Sequence, residues 1–163
     1  MKNTLTIRPM RATDNPRVAQ VIRTVMPEFG CVGEGYSIED PEVNAMFEAY
    51  NGDKSCFHVV VNEQDEAIGC GGIAPLDGGD GTVCELKKMY FLQEARGHGL
   101  GGQMIDLLIT EAKRLGFQQC YLETVTRMES ANALYQKRGF KLLEKNMGCT
   151  GHSGCDSFYV LEL

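Results

Sequence analysis

Apolar residues recur along this chain in two rhythms, and the switches between them mark its elements. Residues 4–8 alternate as a strand does, and Pro9 ends the run. Asp14 can cap a helix whose first turn holds Pro16, with Val18, Val21, Ile22 and Val25 on one face and Pro27 as its stop. Residues 28–40 are rich in glycine and acid and read as a loop. Residues 41–50 predict a short second helix with Val43, Met46, Phe47 and Tyr50 on one side. Three strand-like runs follow, at 56–61, 67–75 and 82–92. The polar turns between them are short, which predicts antiparallel neighbours. Beyond Gly97 comes the strongest helical stripe, Leu100, Met104, Leu107, Leu108, Ala112 and Leu115, closed by Gly116. A strand at 118–125, a short helix at 130–138 and two closing strands at 140–144 and 157–163 complete the order.

Composition narrows the class. The chain has 163 residues, enough for one domain with a proper core, so 1–163 is read as a single domain. Hydrophobic residues make up 43% and charged residues 23%, as in ordinary globular proteins. A formal net charge of −6 argues against bulk nucleic-acid binding, which needs a basic face. No apolar run approaches membrane-spanning length, and the first residues lack the apolar stretch of a signal peptide. The expected location is the cytoplasm, away from membranes. Seven cysteines without a Cys-x-x-Cys pair predict reduced, mostly buried thiols rather than a disulfide framework.

The candidate chemistry centres on Arg96-Gly97-His98-Gly99-Leu100-Gly101-Gly102, between a strand and the strongest helix. Glycines at a helix mouth leave backbone N–H groups unpaired and let a ligand approach closely. Those groups and the helix dipole suit a phosphate or diphosphate. Gly97, Gly99 and Gly102 also satisfy Gly-x-Gly-x-x-Gly, with Glu123 about twenty residues further on, the dinucleotide fingerprint. Against that reading, four residues separate the strand from the first glycine, and the preceding strands are antiparallel. Too little chain follows for the rest of a dinucleotide fold.

A second set of residues points elsewhere. Arg96-Gly-His-Gly-Leu-Gly101 matches Arg/Gln-x-x-Gly-x-Gly/Ala, and Met89-Tyr90-Phe91 precedes it as a strand. Downstream stands Asn132-Ala-Leu-Tyr135, followed by Gly139-Phe140. Together these motifs, over residues 82–145, resemble the GNAT superfamily of acyl-CoA N-acyltransferases. The resemblance implies an α/β fold with a mixed, mostly antiparallel, splayed sheet of seven strands and four helices. It implies acetyl-CoA as co-substrate, no metal, and direct acetyl transfer to a small-molecule or peptide amine in a ternary complex.

It also assigns residues. The amides of Arg96 to Gly102 would hold the coenzyme A diphosphate. The backbones of Met89 and Phe91 would pair with the pantetheine arm, with the Met89 N–H as oxyanion donor. Tyr135 would protonate the departing thiolate, with Asn132 one turn earlier beside it or the pantetheine. Glu85 would be the general base, with Glu123 as the rival base or a shaper of the acceptor site. Strand alternation places Glu85 on the face of Lys87, Met89 and Phe91. A non-catalytic acyl-CoA-binding module would keep the glycine loop and lack this chemistry.

Two segments stay open. Cys149, His152 and Cys155 lie in a glycine-rich loop, short of the four ligands of a structural zinc site, and His152 is an acceptor-side candidate. Glu28 and Glu34 belong to the acidic loop expected near the acceptor entrance, where a solvated surface is the plain alternative. The acceptor is unnamed, and monomer and homodimer remain equally open.

Overall fold

In the computed structural model, which describes residues 4–163, the period-2 runs form the middle of one sheet. The strands are β1 (Thr6–Pro9), β2 (Cys56–Val61), β3 (Ala67–Pro75), β4 (Val83–Phe91), β5 (Gln119–Thr124), β6 (Lys141–Leu143) and β7 (Ser157–Glu162). Their order is β1-β2-β3-β4-β5-β7-β6. Every neighbouring pair is antiparallel except β4 and β5, which run parallel. The helices are α1 (Asn15–Glu28), α2 (Met46–Ala49), α3 (Leu100–Arg114) and α4 (Glu129–Lys137). This is the α/β arrangement expected from the motifs.

Each sheet face buries its own core. Val18, Val21, Ile22 and Val25 of α1 pack with Met46, Phe57, Val59 and Cys70 on one face. Met104, Ile105 and Leu108 of α3 pack with Leu86, Met89, Leu122 and Tyr135 on the other. Apolar burial on both faces explains why β3 is buried over most of its length.

Several local expectations change. Pro27 does not stop α1, which runs on to Glu28. The predicted helix over 41–50 is broken at Ala45, whose φ of −143° separates a 3-10 turn at Pro41–Asn44 from the single turn of α2. Asp14 does not cap α1 with its side chain. Its carboxylate is taken by the Arg8 guanidinium, at 2.8 and 3.0 Å, and by the Arg11 amide at 2.7 Å. Among the described residues no helix is long and apolar enough to cross a membrane.

Two irregularities in β4 shape everything above them. The strand pairs with β5 only over Val83–Glu85, opposite Gln119–Tyr121, and then the two diverge. A bulge also interrupts its pairing with β3, between Gly72↔Lys87 and Cys70↔Tyr90. Lys88 sits in this bulge with a left-handed φ of 56°.

The bulge corrects the expected strand face. Without it Glu85 would share a side with Met89 and Phe91. The extra residue flips the alternation, so Met89 and Phe91 join Cys84 and Leu86 above α3. Glu85 is left on the opposite side, with Tyr90, in a cleft under the loop that follows α1.

Candidate active site

Where β4 and β5 part, two clefts meet. The larger, of about 410 Å³, lies between the glycine loop and α4. Met89 and Phe91 line one wall, Gly97, Gly99 and Gly101 the floor, and Ser130 and Leu134 the far side. Gly97 and Gly99 have φ of 80° and 74°, values a side chain would strain. A Cβ at either would meet open space, so it is conformation rather than crowding that calls for glycine, and the space above the loop stays free. Gly99 immediately precedes α3, so the helix opens toward the cleft.

Other loop residues do different work. The Arg96 Nε donates to the Phe91 carbonyl at 3.0 Å, and its Nη2 pairs with Glu28 at 2.8 Å. Glu28, expected near the acceptor, is thereby fixed beside the glycine loop. Leu100 lines the cleft, while His98 is exposed and outside it. Gly102 also lies outside the lining, where the Arg138 guanidinium comes within 2.5 Å of the place a Cβ would take. Asn132 lines neither cleft. Its Nδ2 donates to the Val125 and Met128 carbonyls, and its Oδ1 accepts from the Tyr159 hydroxyl at 2.8 Å. It ties the start of α4 to the ends of β5 and β7.

The smaller cleft, about 50 Å³, holds the titratable groups. Phe29, Met89, Tyr90 and Met128 line both clefts and form the passage between them. Glu85 is 3% exposed, and its Oε1 has no hydrogen-bond partner among the described residues. The Lys87 ammonium stands 4.0 Å away. Burial is the main influence on this carboxyl and, with help from the Glu123 charge, pushes it up to about 7 against the pull of Lys87.

Glu123 presents the opposite case. Its Oε2 accepts from the Tyr121 hydroxyl at 2.7 Å and its Oε1 from Thr150, and the His152 Nδ1 lies 3.7 Å from Oε1. Burial would raise it, yet His152, Thr150 and Tyr121 together hold it below its ordinary value. The two carboxyls, close neighbours on one face, are thus driven in opposite directions.

His152 joins them from the loop between β6 and β7. Its Nε2 lies 2.9 and 3.0 Å from the two Asp40 oxygens. Burial works against its charge, but Asp40 and Glu123 outweigh burial and carry it up to about 9. Asp40 in turn accepts from the Lys88 ammonium at 2.6 Å, and Lys88 also reaches Glu42 at 3.4 Å. Glu34 is exposed and lines neither cleft.

Tyr135 is 5% exposed and lines the smaller cleft. Its ring lies 6.0 Å from those of Phe140 and Tyr159, and burial pushes its phenol well above the usual range. Ligand atoms of Glu85, Glu123 and His152 lie within 4.8 Å of one another.

Sequence reasoning overlooked Lys88, Glu42, Tyr121 and Thr150, and treated Asp40 only as part of an acidic loop. One signal was present. Two adjacent lysines interrupt an otherwise buried strand, so one of them must turn inward or the strand must bulge.

Comparison with known proteins supplies the family. The sequence pattern of the Acetyltransferase (GNAT) family matches residues 18–140. The chain belongs to that family. It is 39% identical over 158 residues to the Escherichia coli uncharacterized N-acetyltransferase YjgM, covering 96% of this chain and 94% of the relative. A Schizosaccharomyces pombe uncharacterized N-acetyltransferase, C1271.07c, is 30% identical over 76% of this chain and 74% of its own length. Among solved structures, a Staphylococcus aureus GNAT acetyltransferase superposes with a TM-score of 0.84 at 19% identity, over 98% of this chain and 99% of that one. A Sinorhizobium meliloti phosphinothricin acetyltransferase in complex with AcCoA superposes with a TM-score of 0.76 at 21% identity, covering 100% and 89% of the two chains. These structural likenesses carry the fold, and the sequence matches carry the family.

Proposed function

We propose that this GNAT protein moves an acetyl group from acetyl-CoA to a primary amine by direct attack in a ternary complex. The observation that carries the reading is the buried Glu85 carboxyl, with one oxygen unpartnered, beside the point where β4 leaves β5. Coenzyme A would lie in the larger cleft, its diphosphate on the loop amides that line it, at Gly97, Gly99, Leu100 and Gly101. Its thioester would enter the passage at Met89.

An amine is protonated at neutral pH and cannot attack until it loses that proton. A carboxyl near 7 is close to the working pH, the condition for an efficient general base. Glu123 is held ionised by three donors and accepts a proton poorly. Glu85 is therefore the base and Glu123 shapes its surroundings. The freed nitrogen bonds to the acyl carbon, and the carbonyl oxygen gains negative charge facing the Met89 N–H. As the tetrahedral centre collapses the C–S bond breaks and Tyr135 gives its proton to the sulfur, while the nitrogen sheds its second proton, which passes through solvent to restore the phenol. Its raised pKa keeps that proton in place until thiolate charge develops.

The test is thiol release from acetyl-CoA across a panel of small amines, amino acids and peptides. Turnover on at least one amine, lost in Glu85→Gln with acetyl-CoA affinity retained, is the expected result. Tight acetyl-CoA binding with no turnover on any acceptor would instead mark a binding module.

A further inference from the structure

With Glu85 as the base of the proposed reaction, an assignment on which the present inference rests, its immediate neighbours form a chain with one direction. Lys88, its side chain wholly buried in the β4 bulge, donates to Asp40 at 2.6 Å. Asp40 accepts from the His152 Nε2 at 2.9 Å, and the His152 Nδ1 faces Glu123 at 3.7 Å. Both ring nitrogens thus point at carboxylates. A neutral tautomer would turn one lone pair toward an anion, so two flanking carboxylates favour the imidazolium.

We propose that Asp40 is a positioning residue: seated on Lys88, it fixes His152 as a cation between Asp40 and Glu123 and beside Glu85, so that His152 and Glu123 act on the base in opposite senses. A nearby cation stabilises the Glu85 carboxylate and a nearby anion opposes it. Four groups act on Glu85 through charge. Lys87 and Lys88 of its own strand and His152 hold it down, and Glu123 pushes it up. Asp40 and Glu42 face the site from the segment after α1, already claimed by Lys88 and His152. The hydroxyls of Tyr50, Tyr90 and Tyr121 and the Cys155 thiol are all pushed up by burial and stay uncharged near neutral pH.

The same contacts also staple the loop after α1 to the loop before β7, and a staple alone would give no signed effect on Glu85. The experiment separates the two. Full-length protein labelled with 13C at glutamate Cδ is titrated by NMR without ligand, the Glu85 signal being assigned by its loss in Glu85→Gln. The wild-type midpoint is expected near about 7. In His152→Gln it should rise by about one pH unit, and in Glu123→Gln it should fall by about as much. In Asp40→Asn the His152 midpoint, followed by imidazole 15N shifts, should drop from about 9, and Asp40→Glu should restore it. Amide fingerprints confirm that each variant is folded.

Shifts of one sign in both variants, no shift, or a His152 midpoint indifferent to Asp40→Asn would overturn the proposal. The pH dependence of kcat/KM with the amine found in the panel tests the base assignment separately. If the Glu85 midpoints move as expected while the rate profile stays put, the positioning chain stands and Glu85 is not the base.

Discussion

The larger cleft and the smaller one share a passage at Met89 and Tyr90 but are built from different materials. The proposed donor side is backbone: a glycine loop with φ near 80° and 74° at Gly97 and Gly99, and the mouth of a helix that follows at once. Its components are neighbours in sequence. The proposed acceptor side is a set of charged side chains brought together from four distant segments, Asp40, Glu85 with Lys88, Glu123 and His152. A cradle of amides recognises a diphosphate whatever the rest of the protein does. A network of carboxylates and cations exists only once the whole sheet has formed, and each member sets the state of the next.

That division can be broken experimentally. Glu85→Gln should reduce kcat by about 10²–10⁴ with acetyl-CoA affinity intact, measured by thiol release and calorimetry. An equal loss of cofactor binding would show that the two sides are not separable. Tyr135→Phe should cost turnover about 10² with the same affinity, because it removes a proton used only as the sulfur departs. Unchanged turnover, with chemistry limiting, removes Tyr135 from the mechanism. Gly99→Val should do the converse. A β-branched residue at φ 74° is strained by about 1–3 kcal/mol, so coenzyme A binding should weaken about 10- to 100-fold. Normal affinity in calorimetry would mean that the loop is not the cradle.

Two smaller effects sharpen the boundary. His152 is carried above its ordinary value to about 9, so its contribution to stability is full below about pH 6.5 and lost as pH rises through about 9. The difference in melting temperature between wild type and His152→Gln should therefore be largest near about pH 6 and shrink by about pH 9.5. A difference that grows with pH would mean a neutral imidazole. Glu28→Gln should tighten coenzyme A binding by about two- to fivefold and leave acceptor KM alone, since it frees the half-exposed Arg96 guanidinium for phosphate. An effect on acceptor KM instead would return Glu28 to the acceptor side.

The contrast also explains what a reader of the sequence can see. The element order, the glycine loop, Glu85 and Tyr135 are all local signals: a rhythm, a motif, a residue at a fixed offset. Boundaries came within a residue or two for β2, β3, β4 and α3, because their ends coincide with glycines and polar turns. What stayed hidden needs a partner from elsewhere. Nothing in the spacing of residues 28–40 says that Asp40 meets His152 from across the sheet, or that Glu28 turns toward Arg96. The Lys88 bulge is hidden for another reason. Strand alternation assumes one residue per step, and a single left-handed residue reverses the side of everything after it.

Lys88 also governs how often the site breathes. Its ammonium has no exposure of its own and is satisfied by Asp40 and Glu42. Both belong to a segment that looks like surface loop. Lifting that segment breaks both ion pairs at once, and only entering water can then satisfy the ammonium. The roof of the acceptor cleft is irregular in outline, yet its amides should exchange hydrogen nearer to the pace of the strands beneath than to that of a free loop.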